Sequence, residues 1–231
     1  SNNTALGHFA LKANTTGTSN VAVGANALDA NTAGNFNTAV GFDTLTNNTG
    51  SENTGTGGNS LKQNTTGSNN TAFGVSTLES NTTASNNTAV GRNAMAVNTT
   101  GTQNVAVGSL ALAAADTNDN VAIGYEAMTN ATSTSNNVAV GSQALKEQTT
   151  GARNVAVGSA ALTALTTGDD NTAVGRSALS TMTTANANTA LGSKTLMNCT
   201  HQANTAVGFE ALENNTSGDT NTGIGSLSLN A

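Results

Sequence analysis

The pentapeptide Asn-Thr/Val-Ala-aliphatic-Gly, or a close variant of it, occurs fourteen times in this chain, and its spacing constrains the fold more than any other feature. The first Asn of successive motifs, from Asn3 to Asn221, recurs after 17 residues ten times and after 16 residues three times. A period this short and regular is typical of a solenoid in which each repeat forms one coil stacked on the last. We therefore predict an all-β parallel β-solenoid of about fourteen 16–17-residue coils, forming one rod-like repeat domain over residues 1–231 without evident caps.

The repeat itself predicts where the core lies. With the motif Asn as position 1, the consensus is Asn-Thr/Val-Ala-Val-Gly-x-x-Ala-Leu-x-x-Asn-Thr-Thr-Gly-x-x. Position 4 is aliphatic or Phe except at Thr56, and position 9 is always Leu or Met. Stacked at a strand separation of ~4.8 Å, these two positions would form apolar ladders along the rod, which we predict to be the core. The position-9 ladder consists of Leu11, Leu28, Leu45, Leu61, Leu78, Met95, Leu112, Met128, Leu145, Leu162, Leu179, Leu196, Leu212 and Leu229.

Positions 3 and 5 never carry a large side chain. Position 3 is Ala or Gly, and position 5 is Gly in every repeat. Because side chains alternate along a strand, positions 1, 3 and 5 should share the face opposite to positions 2 and 4. We expect this small-residue face to pack closely against neighbouring chains, with Gly at position 5 also supplying a bend. The bend glycines are Gly7, Gly24, Gly41, Gly57, Gly74, Gly91, Gly108, Gly124, Gly141, Gly158, Gly175, Gly192, Gly208 and Gly225.

Local chemistry favours strands and turns over helices. Ala and Leu are helix formers, but the apolar positions do not sustain a 3.6-residue period, and Asn-Thr-Thr-Gly is typical of turns and strands. We predict short parallel strands near positions 1 to 4 and 12 to 14. One coil offers about one Leu, one Val and a few Ala residues, which is little apolar surface for seventeen ordered residues. This shortage predicts self-association, most simply as a symmetric bundle.

Charge and composition exclude several classes of function. The net charge is −6, and the basic residues are too scattered to follow a nucleic-acid backbone: they are Lys12, Lys62, Arg92, Lys146, Arg153, Arg176 and Lys194. No apolar run approaches the ~18 residues that span a bilayer, so we expect no membrane insertion in this segment. The single cysteine, Cys199, allows no intrachain disulfide and leaves the redox compartment open.

The repeat motifs resemble those of known fibrous proteins. Asn104-Val105-Ala106-Val107-Gly108-Ser109 and Asn120-Val121-Ala122-Ile123-Gly124 are similar to the Asn/Ser-Val-Ala-Ile-Gly motif in the heads of trimeric autotransporter adhesins. The longer unit Asn-Thr-Ala-Val-Gly-x-x-Ala-Leu-x-x-Asn-Thr-Thr-Gly resembles repeat shafts of phage tail fibres and related bacterial surface proteins. The resemblance covers all fourteen repeats. It implies a left-handed β-roll in a homotrimer.

Residues that could carry chemistry are few, and each has a simpler interpretation. His8 and His201 fall on predicted turns near opposite ends of the chain, and Cys199 has only His201 as a nearby potential metal ligand. Asp116/Asp119 and Asp169/Asp170 precede a motif Asn and are expected to be solvated turns, because the calcium-binding nonapeptide is absent. We predict no catalytic, cofactor-binding or metal-binding residue, and no enzyme activity.

A second array consists of threonines in nearly the same register of successive coils. The array would suit ice or a glycan, although Thr is also an ordinary residue of exposed strands and Ala33, Asp116 and Ser133 interrupt it. Its members are Thr16, Thr49, Thr66, Thr83, Thr100, Thr150, Thr167, Thr184 and Thr200.

Three hypotheses about function follow. The first is a non-enzymatic extracellular fibre or adhesin shaft on a cell surface or virion, assembled as a homotrimer and contacting a surface glycan or protein receptor. The second is a filament that polymerises end to end, in the manner of functional amyloid. The third is ice binding through the threonine array.

Overall fold

The computed structural model describes residues 2–114 and 116–230, and all the regular secondary structure in these ranges is β. The chain divides into two compact units, Ser1–Asn118 and Asp119–Ala231. The strands of the first unit are β1 (Thr4–Leu6), β2 (Val21–Val23), β3 (Thr38–Val40), β4 (Thr54–Thr56), β5 (Thr71–Phe73), β6 (Thr88–Val90) and β7 (Val105–Val107). The strands of the second are β8 (Val121–Ile123), β9 (Val138–Val140), β10 (Val155–Val157), β11 (Thr172–Val174), β12 (Thr189–Leu191), β13 (Thr205–Val207) and β14 (Thr222–Ile224).

Each unit is a parallel β-solenoid, as the repeat predicts. Every strand covers positions 2 to 4, and consecutive strands pair so that equal positions lie opposite each other. Ala156, for example, pairs with Ala139 on one side and Ala173 on the other. Because the register is constant, each position of the repeat forms a row of equivalent residues within a unit.

The coils are also hydrogen-bonded to each other outside the strands. The N–H of Ala160 donates to the Ser142 carbonyl (2.9 Å), and the N–H of Leu162 donates to the Ala178 carbonyl (3.0 Å). Ala160 at position 7 and Leu162 at position 9 have φ values of 57° and 50°, a region that costs non-glycine residues free energy. These conformations turn the chain after the strand and recur in coil after coil.

Within residues 2–114 and 116–230, no strand forms near positions 12 to 14, where we predicted a second one. In a typical coil the N–H groups of Thr149 and Thr150 both donate to one acceptor, the carbonyl of Thr166, at 2.9 and 3.2 Å. A strand would give the two residues separate partners on alternate sides. Two donors on one carbonyl instead make this segment a turn.

We predicted that position 4 faces the core and that position 3 faces a neighbouring chain, and both predictions were wrong. Ala139 and Ala156 at position 3 are fully buried within their own unit, whereas Leu191 and Ile123 at position 4 are 48% and 39% exposed. The apolar row at position 4 is therefore outside the coil. Position 3 is small because the coil is narrow, and no neighbouring chain is needed to explain it.

The glycine at position 5 is required by the next coil of the same chain. Gly158 has φ of 133°, and a Cβ built on it would lie 2.6 Å from the carbonyl group of Gly175. Such a distance is shorter than real Cβ contacts, and the backbone conformation also disfavours other residues. The bend that we predicted at position 5 thus requires glycine for two reasons: its backbone has a positive φ, and it lies close to the backbone of the next coil.

The position-9 row lies in the core, with one exception. Leu28, Leu145, Met95 and Met128 are fully buried, as are the other inner members of the row, and Leu11 and Leu212 are 8% and 3% exposed. Leu229 was predicted as a member of this core and is 64% exposed, because no described coil follows it. The core is completed by small residues at position 8, such as Ala144 and Ala161.

Asparagine rows share this interior with the leucines. Asn154 at position 1 is fully buried; its backbone N–H donates to Asn137 Oδ1 (2.8 Å), and its amide nitrogen donates to the Gly168 carbonyl of its own coil (2.7 Å). The same pair of bonds recurs in both units, for example at Asn37. Each buried amide thus fixes one coil against the previous one and closes its own coil.

Position 12 distinguishes the two units. In the first unit it is a second buried asparagine row, in which Asn81 donates to Asn64 Oδ1 (2.6 Å) and to the Ala84 carbonyl (3.1 Å). In the second unit the position is mostly apolar, with Leu165, Met182 and Cys199 fully buried. The position-1 row is therefore the polar element that both interiors share.

The leucine row makes a prediction about stability. Replacing Leu145 by Ala should lower the free energy of unfolding by ~2 to 5 kcal/mol, because the side chain is fully buried and would leave a cavity. Denaturant unfolding of the variant beside the parent measures this loss. Thr150→Ala, at an exposed site, is the control and should change stability by less than about 0.5 kcal/mol. Equal effects of the two substitutions would contradict the assignment of position 9 to the core.

Candidate functional site

The most distinctive surface in each unit is the solvent side of its sheet, which we call the outward sheet face and define as positions 2 and 4 of every strand. In the first unit it comprises Thr4, Leu6, Val21, Val23, Thr38, Val40, Thr54, Thr56, Thr71, Phe73, Thr88, Val90, Val105 and Val107. In the second it comprises Val121, Ile123, Val138, Val140, Val155, Val157, Thr172, Val174, Thr189, Leu191, Thr205, Val207, Thr222 and Ile224. Not one of these residues is charged.

This face is apolar and uncovered within its own unit. Leu6 and Phe73 in the first unit are 68% and 59% exposed, and Leu191 in the second is 48% exposed. Exposed aromatic residues at position 6, such as Phe42 and Tyr125, follow the strands directly. Parallel sheets in proteins normally have both faces covered, so an open face of valine, isoleucine and threonine is chemically suited to contact another protein surface.

Next to the strands, charged side chains at positions 7 and 10 pair across neighbouring coils. Lys62 Nζ lies 2.9 Å from Asp43 Oδ2 in the first unit, and Lys194 Nζ lies 2.8 Å from Glu210 Oε1 in the second. Glu126 accepts from Lys146 (2.8 Å) and from Gln143 (3.0 Å). The hydrogen bond from Lys146, followed by those from Tyr125 and Gln143, lowers the pKa of Glu126 to about 2.

The two histidines and the cysteine each have contacts within their own unit. His8 and His201 lie in different units, and the His8 ring contacts Phe9 at a centroid distance of 3.6 Å. Cys199 is fully buried, and its thiol donates to the His201 carbonyl (3.3 Å). Burial raises the pKa of the Cys199 thiol, which disfavours the reactive thiolate.

The aspartates act as hydrogen-bond acceptors at turns. Asp169 Oδ1 accepts the N–H of Ala152 (2.7 Å), and Asp170 accepts two bonds from the Arg153 guanidinium (2.6 and 2.9 Å). Asp119 is exposed. Asp116 Oδ1 accepts three bonds and Oδ2 accepts one, all from the preceding coil. Burial raises the pKa of Asp116, but these hydrogen bonds outweigh it and the net shift is downward.

The predicted threonine array is exposed, but its members occupy two different positions of the repeat and form two rows. Thr49 and Thr200 occupy position 13, and their hydroxyls donate to the carbonyls of Thr65 (2.8 Å) and Thr216 (2.9 Å) in the next coil. Thr150 and Thr167 occupy position 14, and within the described residues their hydroxyls have no partner. The position-13 hydroxyls therefore stabilise the stack, whereas those of Thr150 and Thr167 at position 14 are free to contact solvent.

Sequence reasoning missed both the outward sheet face and the role of Asp116. The signal in the sequence was the absence of charged residues at positions 2 and 4, which is as regular as the absence of large side chains at positions 3 and 5. Asp116 lies in one of the three 16-residue repeats, where the chain lacks one turn residue. The shorter length of this repeat was the sequence signal that could have drawn attention to Asp116.

Similarity to known proteins assigns no family to this chain. No family model, curated protein or solved structure matches this chain. Within residues 2–114 and 116–230, no group of three or more His, Cys, Asp and Glu side chains is arranged to hold a metal ion. The same ranges contain no helix that is long and apolar enough to cross a membrane.

The carboxylate of Glu126 provides a pH test. Since its pKa is lowered to about 2, its stabilising contribution should be complete above its ordinary value of 4.5 and should be lost as the pH falls from there toward 2. Carboxyl-carbon NMR across an acid titration measures this pKa directly. In Lys146→Gln the pKa of Glu126 should move upward. Titration of Glu126 near 4.5 in the parent protein would contradict the ion pair.

Proposed function

We propose that this chain is a non-enzymatic structural segment, a shaft of a surface adhesin or phage tail fibre, which assembles with further copies of itself through the outward sheet face. The observation that carries the proposal is the open, uncharged side of a parallel sheet in each unit, with Leu6, Phe73 and Leu191 among its exposed residues. Burying such a face against a like surface removes apolar area from water without desolvating a charge.

A second copy is the partner that suits this face best. A homotypic contact pairs the apolar face with an equally apolar one, and repetition along the sheet multiplies a small contribution from each coil. The charged pairs at positions 7 and 10, such as Lys62 with Asp43, lie beside the strands and would form a polar rim around the contact. This is the anatomy of a specific protein interface.

The resemblance of the repeat unit to adhesin heads and tail-fibre shafts supports three copies around a common axis, and an extracellular site on a cell surface or virion. In this role the protein would hold a receptor-binding part at a distance, or contact a glycan or protein receptor through many weak, equal sites. The buried thiol of Cys199, whose pKa is raised by burial, favours this role over that of an enzyme with a cysteine nucleophile.

The oligomeric state tests this proposal. We expect the parent protein to sediment as a closed homo-oligomer, and the double variant Val140→Lys/Val157→Lys to sediment as a monomer of 22.7 kDa, because two ammonium groups would be buried at the contact. Both residues lie on the outward sheet face of the second unit and are half-exposed in the isolated chain. Circular dichroism should show that the variant keeps its β structure.

The control is Thr150→Lys/Thr167→Lys, which adds the same charge on the exposed position-14 row. It should keep the mass of the parent. A parent that is monomeric, or a Val140/Val157 variant that keeps the parent mass, would overturn the proposal. A parent mass that grows without limit with concentration would favour the end-to-end filament instead.

A further inference from the structure

The three 16-residue repeats interrupt a regular hydrogen-bond pattern. Where the next coil has 17 residues, the N–H groups at positions 13 and 14 donate to the position-13 carbonyl of that coil, as Thr166 and Thr167 do to Thr183 (2.7 and 3.3 Å). The coils that begin at Asn37, Asn104 and Asn188 are one residue shorter and lack position 14. Within the described residues, the N–H groups at positions 13 and 14 of the coil before each of them make no hydrogen bond to the position-13 carbonyl of the short coil.

At one of these interruptions the protein supplies a carboxylate in place of the carbonyl. Asp116, in the short coil that begins at Asn104, accepts from Thr99 Oγ1 (2.6 Å), Thr100 Oγ1 (2.9 Å), the Thr100 N–H (2.7 Å) and the Gly101 N–H (2.8 Å). Four donor groups from three consecutive residues, Thr99, Thr100 and Gly101, thus converge on one carboxylate. This is an anion site whose ligand is part of the chain.

The same donors occur at a second interruption, without the carboxylate. Thr183, Thr184 and Ala185 precede the short coil that begins at Asn188, and they match Thr-Thr-Gly before Asp116. Across the part of the chain that the structure describes, the two threonine hydroxyls and the N–H groups of Thr184 and Ala185 have no hydrogen-bond partner. Thr200 stands where Asp116 stands in the other short coil, and its hydroxyl donates to the Thr216 carbonyl (2.9 Å).

A shallow cavity of about 270 Å³, widely open to solvent, lies at this second interruption. It is lined by Thr184, Ala185, Thr200, His201, Gln202 and Asp219. The Thr200 hydroxyl donates its proton to the Thr216 carbonyl, so the Thr200 Oγ1 atom accepts a hydrogen bond from His201 Nδ1 (3.0 Å). The other ring nitrogen of His201, Nε2, is then available to a ligand. Asp219 Oδ1 accepts the N–H of Gln202 (2.9 Å).

We propose that this cavity binds the carboxylate of a small organic acid, which takes the place that Asp116 fills at the other interruption. The hydroxyl of Thr184 and the N–H groups of Thr184 and Ala185 donate to it, and His201 contacts the remainder of the ligand. The negative charge of Asp219 opposes binding. We therefore expect the carboxylate to bind weakly. The lining residues lie on turns and not on the outward sheet face, so binding does not depend on self-association.

Titration with sodium acetate and with sodium glucuronate, followed by amide NMR, tests the site. We expect the signals of Thr184 and Ala185 to shift and saturate with at least one of these acids. The signals of Thr149 and Thr150, whose N–H groups already have an acceptor, should not move. Sodium chloride at equal ionic strength and neutral glucose should have no effect at either pair. A larger response to glucuronate than to acetate would identify a sugar acid as the preferred ligand.

Three substitutions make the test specific. Thr200→Asp should place a carboxylate among the four donors, abolish the acid-induced shifts and raise the melting temperature, whereas its neutral control Thr200→Asn should do neither. Asp219→Asn keeps an acceptor for Gln202 and should tighten binding by about fivefold, since it removes a nearby like charge. The proposal is overturned if neither acid moves Thr184 and Ala185, or if Thr200→Asp responds as the parent does.

Discussion

A buried asparagine at position 1 is the interaction on which the remaining structure depends. The side-chain oxygen of Asn137 holds the backbone of Asn154, and Asn154 Oδ1 in turn holds the backbone of Asn171, at 2.8 and 2.9 Å. The same amides close their own coils through the position-15 carbonyl, as at Gly168. A coil this narrow has room for one leucine and a few alanines, so satisfied amides supply the specificity that a larger apolar core would otherwise give.

Once these amides are fixed inside, the two faces of the strand follow. Position 3 must share the interior with position 1, which leaves room only for Ala or Gly, and positions 2 and 4 must face outward. The aliphatic row at position 4 is thus available for contact with another molecule. Hydrogen bonding also explains the short repeats, where the turn of the preceding coil lacks its usual backbone acceptor. At one of them Asp116 accepts these hydrogen bonds, and at another a polar cavity lies beside His201.

The period and the strand chemistry were sufficient to predict the solenoid, its coil length and the burial of Leu145 and its equivalents. They were not sufficient to orient the strand, because alternation groups positions without saying which group faces inward, and hydropathy favoured Val140 over Asn137 for the core. The hydrogen bonds that reverse this preference connect residues 14 and 17 apart and have no local signature. The same holds for the donors around Asp116, which are 15 to 17 residues away.

The most direct test of this account is the free energy of unfolding of Asn154→Leu, measured by denaturant titration. The substitution makes the interior more apolar at similar size, but it leaves the N–H of Asn171 and the carbonyl of Gly168 buried without partners. If the asparagine row determines the fold, stability should fall by about 2 to 6 kcal/mol, at ~1 to 3 kcal/mol for each orphaned group. A variant as stable as the parent, or more stable, would contradict the account and return the structural role to apolar burial.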